Sequence, residues 1–147
     1  MANSIVNKVL SSTAGFAPLA LRVPMGIIFM AHGSQKLFGW FGGYGLEGTG
    51  QWMASQGIEP GVLMAALAGS GEFFGGLLIL LGLLTRPSAL VLAFTMLIAI
   101  FSVHFSNGLL LSNNGYEYAL ALLAGSVSLL ISGSGKVSAD TIIVNKV

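Results

Sequence analysis

Four stretches of the chain are apolar at nearly every position, over about 16–38, 62–84, 88–105 and 116–132. Each holds ~17–25 residues, the length of helix that crosses a hydrocarbon core of ~30 Å. In lipid every backbone N–H and C=O must be satisfied within the protein, which a helix achieves by itself. Barrel strands would alternate apolar and polar positions, and these runs do not. The pattern predicts an all-α protein: a membrane bundle of four transmembrane helices, forming a single domain over residues 1–147.

The connections sharpen this outline. Thr85-Arg86-Pro87 reads as a tight turn between the second and third spans, and Asn107-Gly108 with Asn113-Asn114-Gly115 punctuates the next loop. The first loop, 39–61, is the long one, and its segment 51–56 suits a short helix lying at the membrane interface. The apolar run that begins at Phe16 continues past Phe29 without a small-residue cleavage pattern, so it reads as a span rather than a cleaved signal. Lys8, Arg86, Lys136 and Lys146 flank one side of the spans, whereas Glu47 and Glu59 lie on the other with only Lys36 near the edge. The positive-inside rule then places both termini in the cytoplasm of a bacterial plasma (inner) membrane, with the long loop outside. Trp40 and Trp52 fall at the outer interface, where indole rings are enriched.

Composition narrows the function classes. Hydrophobic residues make up 54% of the chain and charged residues 7%, too few charges to cover a water-soluble surface. Net charge is +1, and no basic stripe marks a nucleic-acid interface. The chain has no cysteine, which excludes thiol redox chemistry and Cys-ligated iron–sulfur or zinc by the chain itself. No metal site is expected. Gly43–Gly48 fits G-x-G-x-x-G, but no strand–helix unit surrounds it, and Gly133–Lys136 lacks two elements of a P-loop.

The ionisable residues inside the spans carry the candidate chemistry, because a charge in the bilayer costs ~2.5–3.5 kcal/mol on insertion scales. They are Arg22, His32 and Lys36 on the first span, Glu72 on the second, His104 on the third and Glu117 on the fourth. Counting ~1.5 Å per residue from the cytoplasmic side puts Arg22 at ~9 Å, Glu72 at ~18 Å, both histidines at ~25 Å, and Lys36 and Glu117 at ~30 Å. Two expectations follow. Arg22 extends upward to form an ion pair with Glu72. His32, Lys36, His104 and Glu117 make one polar layer near the outer face, with Glu117 in hydrogen-bonding reach of His32, His104 or Lys36, directly or through one water. The plainer reading is that Lys36, Glu117 and Arg22 snorkel to the headgroups, and that the histidines are hydrogen-bonded core residues. Gly71-x-x-x-Gly75 flanks Glu72 and allows close helix packing.

Four blocks, in order, resemble the DoxX family of small bacterial membrane proteins. They are HGSQKLFG at His32–Gly39, GEFFGGLLILLGLLTR at Gly71–Arg86, NGYEYALALL at Asn114–Leu123 and GSGKVSAD at Gly133–Asp140. The last departs from the family's usual ending, with Ser134 for Pro and Lys136 for Arg. The resemblance implies a four-helix membrane protein with motif residues at His32, Gln35, Lys36, Glu72, Arg86, His104, Tyr116 and Glu117. It also implies the company of quinone-linked or detoxifying redox assemblies.

The leading expectation is therefore a membrane subunit of a quinone-linked oxidoreductase or redox-stress assembly. Ligand-binding or proton-relay candidates are His32, Gln35, Lys36, Glu72, His104, Tyr116 and Glu117; no catalytic residue is assigned. Its partners would be membrane lipid, a quinone, redox proteins or further copies of the chain. A non-catalytic scaffold or binding module is the alternative. A b-type cytochrome with haem between His32 and His104 is the lesser one.

Overall fold

The computed structural model describes residues 2–146, with side chains over 5–146. Seven α-helices follow one another: α1 Ala2–Leu10, α2 Ala17–Phe38, α3 Gly45–Ser55, α4 Gly61–Leu81, α5 Thr85–Ala99, α6 Glu117–Ser132 and α7 Ala139–Val144. No strand occurs among the described residues. Helix α5 runs on through a π-helical turn, Ile100–His104, and a 3-10 turn, Phe105–Asn107. The expected spans correspond to α2, α4, α5 with its extension, and α6. The short helix expected over 51–56 is the second half of the longer α3. Helices α1 and α7 had no counterpart in the sequence reading, because both are short and their polar residues interrupt any apolar run.

By length and composition, Gly61–Leu81 and Thr85–Asn107 can each cross a membrane, with mean hydropathies of 1.7 and 2.2. Helix α6 is apolar but shorter, and α2 is long enough but carries Arg22, His32 and Lys36. The outward faces are apolar throughout: Ile27, Phe74, Leu90, Phe94, Phe101 and Ile131 are all exposed. An apolar exterior of this extent is what lipid requires and water would not tolerate.

The close pair in the bundle is α2 against α4, antiparallel. A Cβ added at Gly26 would lie 2.8 Å from the Gly76 carbonyl oxygen, and one at Gly33 would lie 2.7 Å from that of Gly69. Both contacts leave room for hydrogen only, so the two backbones touch where glycine recurs two turns apart on each helix. Gly71 and Gly75 face α5 instead, against Val91 and Leu92. Around this seam Phe29, Ile79, Leu92 and Leu129 are fully buried and join α2, α4, α5 and α6 into one core.

At the end of the bundle that holds the termini, helix ends are closed by side chains. Arg22 is buried and donates to the carbonyls of Ile79 (2.8 Å) and Leu80 (3.2 Å), and to those of Ser134 (2.5 Å) and Val137 (2.8 Å). The last carbonyls of α4 have no partner within the helix, and a guanidinium is matched to them in both geometry and charge. Arg86 does the same at the end of α6, donating to Leu130 and Ile131, and reaches Ser11 beyond α1. Asp140, buried, accepts from the backbone of Leu84 (2.7 Å) and Thr85 (3.0 Å) at the start of α5. Ser138 caps α7 by accepting from the Thr141 N–H.

The expected Arg22–Glu72 ion pair is therefore corrected. In the register that pairs Gly26 with Gly76, Arg22 is level with Leu80 and Glu72 with Met30. Those levels differ by ~12 Å at ~1.5 Å per residue. Side chains also lean toward the N-terminus of their own helix. On antiparallel helices, Arg22 and Glu72 therefore lean away from each other.

The seam gives a direct test. Gly33→Ala forces a Cβ into the backbone of α4 and should destabilise the protein by about 1–3 kcal/mol, the usual overpacking cost. Gly71→Ala meets Val91 Cγ1 at an ordinary 3.4 Å and should be neutral or slightly stabilising. Thermal melting in detergent micelles separates the two; equal midpoints would show that the seam is not tightly packed.

Candidate functional site

At the opposite end, the same lean brings two charges together. Lys36, on the last turns of α2, points back along its helix. Glu72, midway along α4, points back along an antiparallel one. The Nζ of Lys36 lies 2.6 Å from Oε2 of Glu72, a charge-assisted hydrogen bond. The carboxylate side chain is 5% exposed and the lysine 23%, so Glu72 sits behind and Lys36 faces outward from the pair.

What Lys36 faces is a cavity of about 800 Å³, at the upper end of the range for small-molecule sites. Helices α2 to α6 all contribute to its walls. His32, Gln35, Lys36 and Phe29 come from α2, Thr49, Trp52 and Met53 from α3, and Glu72 from α4. Thr95, Ser102 and His104 come from α5 and its extension, and Tyr118 from α6. The π-helical turn at Ile100–His104 holds two of these, Ser102 and His104, in a helix type that recurs at functional sites.

The cavity is not sealed. Its wall between α4 and α5 is lined by Leu67, Val91, Phe94 and Ile98, all exposed on the apolar exterior. The two helices pack at Gly71 and Gly75, toward the end that holds the termini, where Val91 and Leu92 meet them. Beyond that contact the cavity lies between them. The cavity thus opens onto the apolar exterior of the bundle.

Five sequence-predicted candidates line this cavity: His32, Gln35, Lys36, Glu72 and His104. The ring of His32 lies 6.0 Å from that of Tyr118. Gln35 also donates to the Phe41 carbonyl, at 3.3 Å, and so steadies the turn after α2. His104 Nδ1 lies 2.9 Å from the carbonyl oxygen of Asn114, which can only accept, so Nδ1 donates to it.

The other two are elsewhere. Glu117 is exposed and accepts from the Leu111 N–H at 2.6 Å, closing the 3-10 turn ahead of α6. Tyr116 stacks on Phe105 with centroids 5.8 Å apart. The expected layer of His32, Lys36, His104 and Glu117 is corrected accordingly: similar depth along three helices fixes no azimuth, and Glu117 answers the Leu111 N–H of its own loop. Sequence reasoning passed over Tyr118, Trp52 and Ser102, which carry no charge and fall within apolar or loop patterns.

These are the residues by which the chain can be compared with known proteins. The sequence profile of the DoxX family matches residues 17–105, from the start of α2 through the π-helical turn. The chain belongs to the DoxX family.

Among its relatives, CatD of Bacillus subtilis (strain 168), provisionally named an oxidoreductase, is 34% identical over 122 residues, 83% of each chain. The inner membrane protein YqjF of Escherichia coli (strain K12) is 37% identical over 130 residues, 87% of this chain and 92% of its own. No solved structure matches. The chain is thus a membrane protein of the DoxX family. The matched region contains His32, Gln35, Lys36, Glu72 and His104, and ends before Tyr116 and Glu117.

The ion pair makes a stability prediction for this DoxX protein. Lys36→Met leaves a buried carboxylate without its partner, and breaking such a pair costs about 3–5 kcal/mol. Lys36→Met combined with Glu72→Leu removes both charges and should recover most of that loss. Unfolding in mixed micelles measures both; a double variant no more stable than the single one would show that the pair is not what holds this region.

Proposed function

We propose that the protein is a membrane component of a redox assembly that holds a quinone-like ligand in the cavity between α2 and α6. The observation that carries this reading is a cavity of about 800 Å³ with a donor-rich corner and an apolar doorway toward lipid. A quinone headgroup presents two carbonyl oxygens, and Lys36 with its free N–H bonds, Tyr118 and Tyr44 are donors along the wall. Its isoprenoid tail would leave between Leu67 and Phe94. When bound, the quinone supplies the electron-accepting chemistry. The chain's own residues would orient it and exchange protons, with His32, His104 and Glu72 as groups that can gain or lose one. The provisional name of CatD as an oxidoreductase supports this direction.

Lipid quenching tests it. Trp52 lines the cavity and Trp40 does not, so a Trp40→Phe background reports on the site alone. A short-tailed ubiquinone analogue should quench Trp52 saturably in nanodiscs, and Lys36→Met should weaken binding about tenfold, equivalent to ~1.4 kcal/mol. Quenching that rises linearly with quinone and ignores Lys36 would count against a quinone site.

The arrangement in the membrane belongs to the same proposal. Helices α2, α4, α5 and α6 are taken as four spans of a bacterial inner membrane, the location named for YqjF. Lys8, Arg86, Lys136 and Lys146 gather at the end that holds the termini, so both termini are cytoplasmic and the cavity lies in the outer half. A reporter fused to the C-terminus should be active only in the cytoplasm; periplasmic activity would invert the bundle and put the cavity in the inner half.

A further inference from the structure

With its two histidines neutral, the formal charges of the cavity wall sum to zero. Its ionisable side chains, besides two tyrosines, are His32, Lys36, Glu72 and His104. Helix α3 contributes Thr49, Trp52 and Met53, helix α5 with its extension adds Thr95, Ser102 and His104, and α6 adds Tyr118. Glu47, Glu59 and Glu117 are not in the wall. Arg22 is committed to the carbonyls of α4 and of the segment after α6, at the other end. Lys36 therefore meets one compensating charge, Glu72, at 2.6 Å.

The order of the two groups matters. Glu72 is nearly sealed at 5% exposed, and Lys36 stands in front of it at 23%. A molecule in the cavity meets the ammonium, which keeps N–H donors after one is given to Glu72. An uncharged carbonyl, ether or hydroxyl oxygen can take such a donor while the ion pair stays intact. A carboxylate, sulfate or phosphate would compete with Glu72 for the same cation. It would also set two negative charges against one positive in an apolar wall, where like charges are weakly screened.

We propose that Glu72 is a specificity-determining residue: by neutralising Lys36 it restricts the cavity to uncharged amphiphiles and excludes anionic ones. Without Glu72 the same corner is an uncompensated cation beneath an apolar channel, the recognition site for an anionic amphiphile. The inference rests on the cavity being a ligand site, as proposed above, and not on the ligand being a quinone.

Matched amphiphiles supply the test. Brominated octadecanol and brominated octadecyl sulfate share a chain and differ in head charge, which the sulfate keeps at any working pH. Both are titrated against the Trp52 fluorescence of Trp40→Phe protein in phosphatidylcholine nanodiscs. The wild-type cavity should be quenched saturably by the alcohol and should need at least tenfold more of the sulfate. Glu72→Gln should gain at least tenfold in affinity for the sulfate and change less than threefold for the alcohol.

Lys36→Met supplies the opposite arm, because it leaves Glu72 uncompensated. It should admit a brominated octadecylammonium at least tenfold better than wild type does. Adding Lys36→Met to Glu72→Gln should return the alcohol preference. Wild-type protein that binds the sulfate as well as the alcohol, or binds neither, overturns the proposal. So does a folded Glu72→Gln variant with unchanged sulfate affinity. If Glu72→Gln does not fold, the wild-type comparison and the Lys36→Met arm decide. Loss of quinone quenching with the head-charge preference intact sinks only the quinone reading; a lost preference with quinone quenching intact sinks only this one.

Discussion

The backbone contact between α2 and α4 is the constraint on which the rest depends. Gly26 meets Gly76 and Gly33 meets Gly69 with no space for a methyl group, so the helices cannot slide or rotate against each other. Lipid tails offer no hydrophobic drive to hold helices together, and close backbone approach supplies dispersion contact in its place. That contact also fixes the register. With the register fixed, the backward lean of helical side chains brings Lys36 to Glu72 and takes Arg22 away from it. The chemistry of the cavity is in this sense a consequence of four glycines.

The two ends of the bundle solve different problems. Where the termini lie, Arg22, Arg86, Asp140 and Ser138 supply partners for backbone groups that a helix leaves unpaired. Three of these are charged residues used as structure. At the other end the helices are joined by longer loops, α3 adds Thr49, Trp52 and Met53 to the cavity wall, and α4 and α5 leave a space between them.

An intramembrane charge is usually a clue to function, and here the clue divides. Glu72 and Lys36 form their pair on a cavity wall and suit ligand recognition. Arg22, equally buried, touches no part of the cavity. Glu117 belongs to a loop closure. Cost in lipid identifies residues that must be satisfied; it does not say whether a ligand or the backbone satisfies them.

The sequence by itself determined the solvent and the four long apolar helices. Runs of apolar residues with 7% charge leave lipid as the surroundings, and lipid leaves the helix as the local structure. Four quoted blocks were enough to point to the DoxX family, and five of seven candidate residues do line one cavity, because chemistry-bearing side chains in apolar runs stand out. Pairing was not legible. Depth along a helix can be counted from sequence, but azimuth, register and the lean of side chains between antiparallel partners are properties of packing. Only the tertiary structure decided that Glu72 answers Lys36 and not Arg22, that Glu117 serves its own loop, and that Tyr118 and Trp52 line the cavity. The reason is that these contacts join positions far apart in the chain, and only the glycine seam fixes how far one helix lies along another.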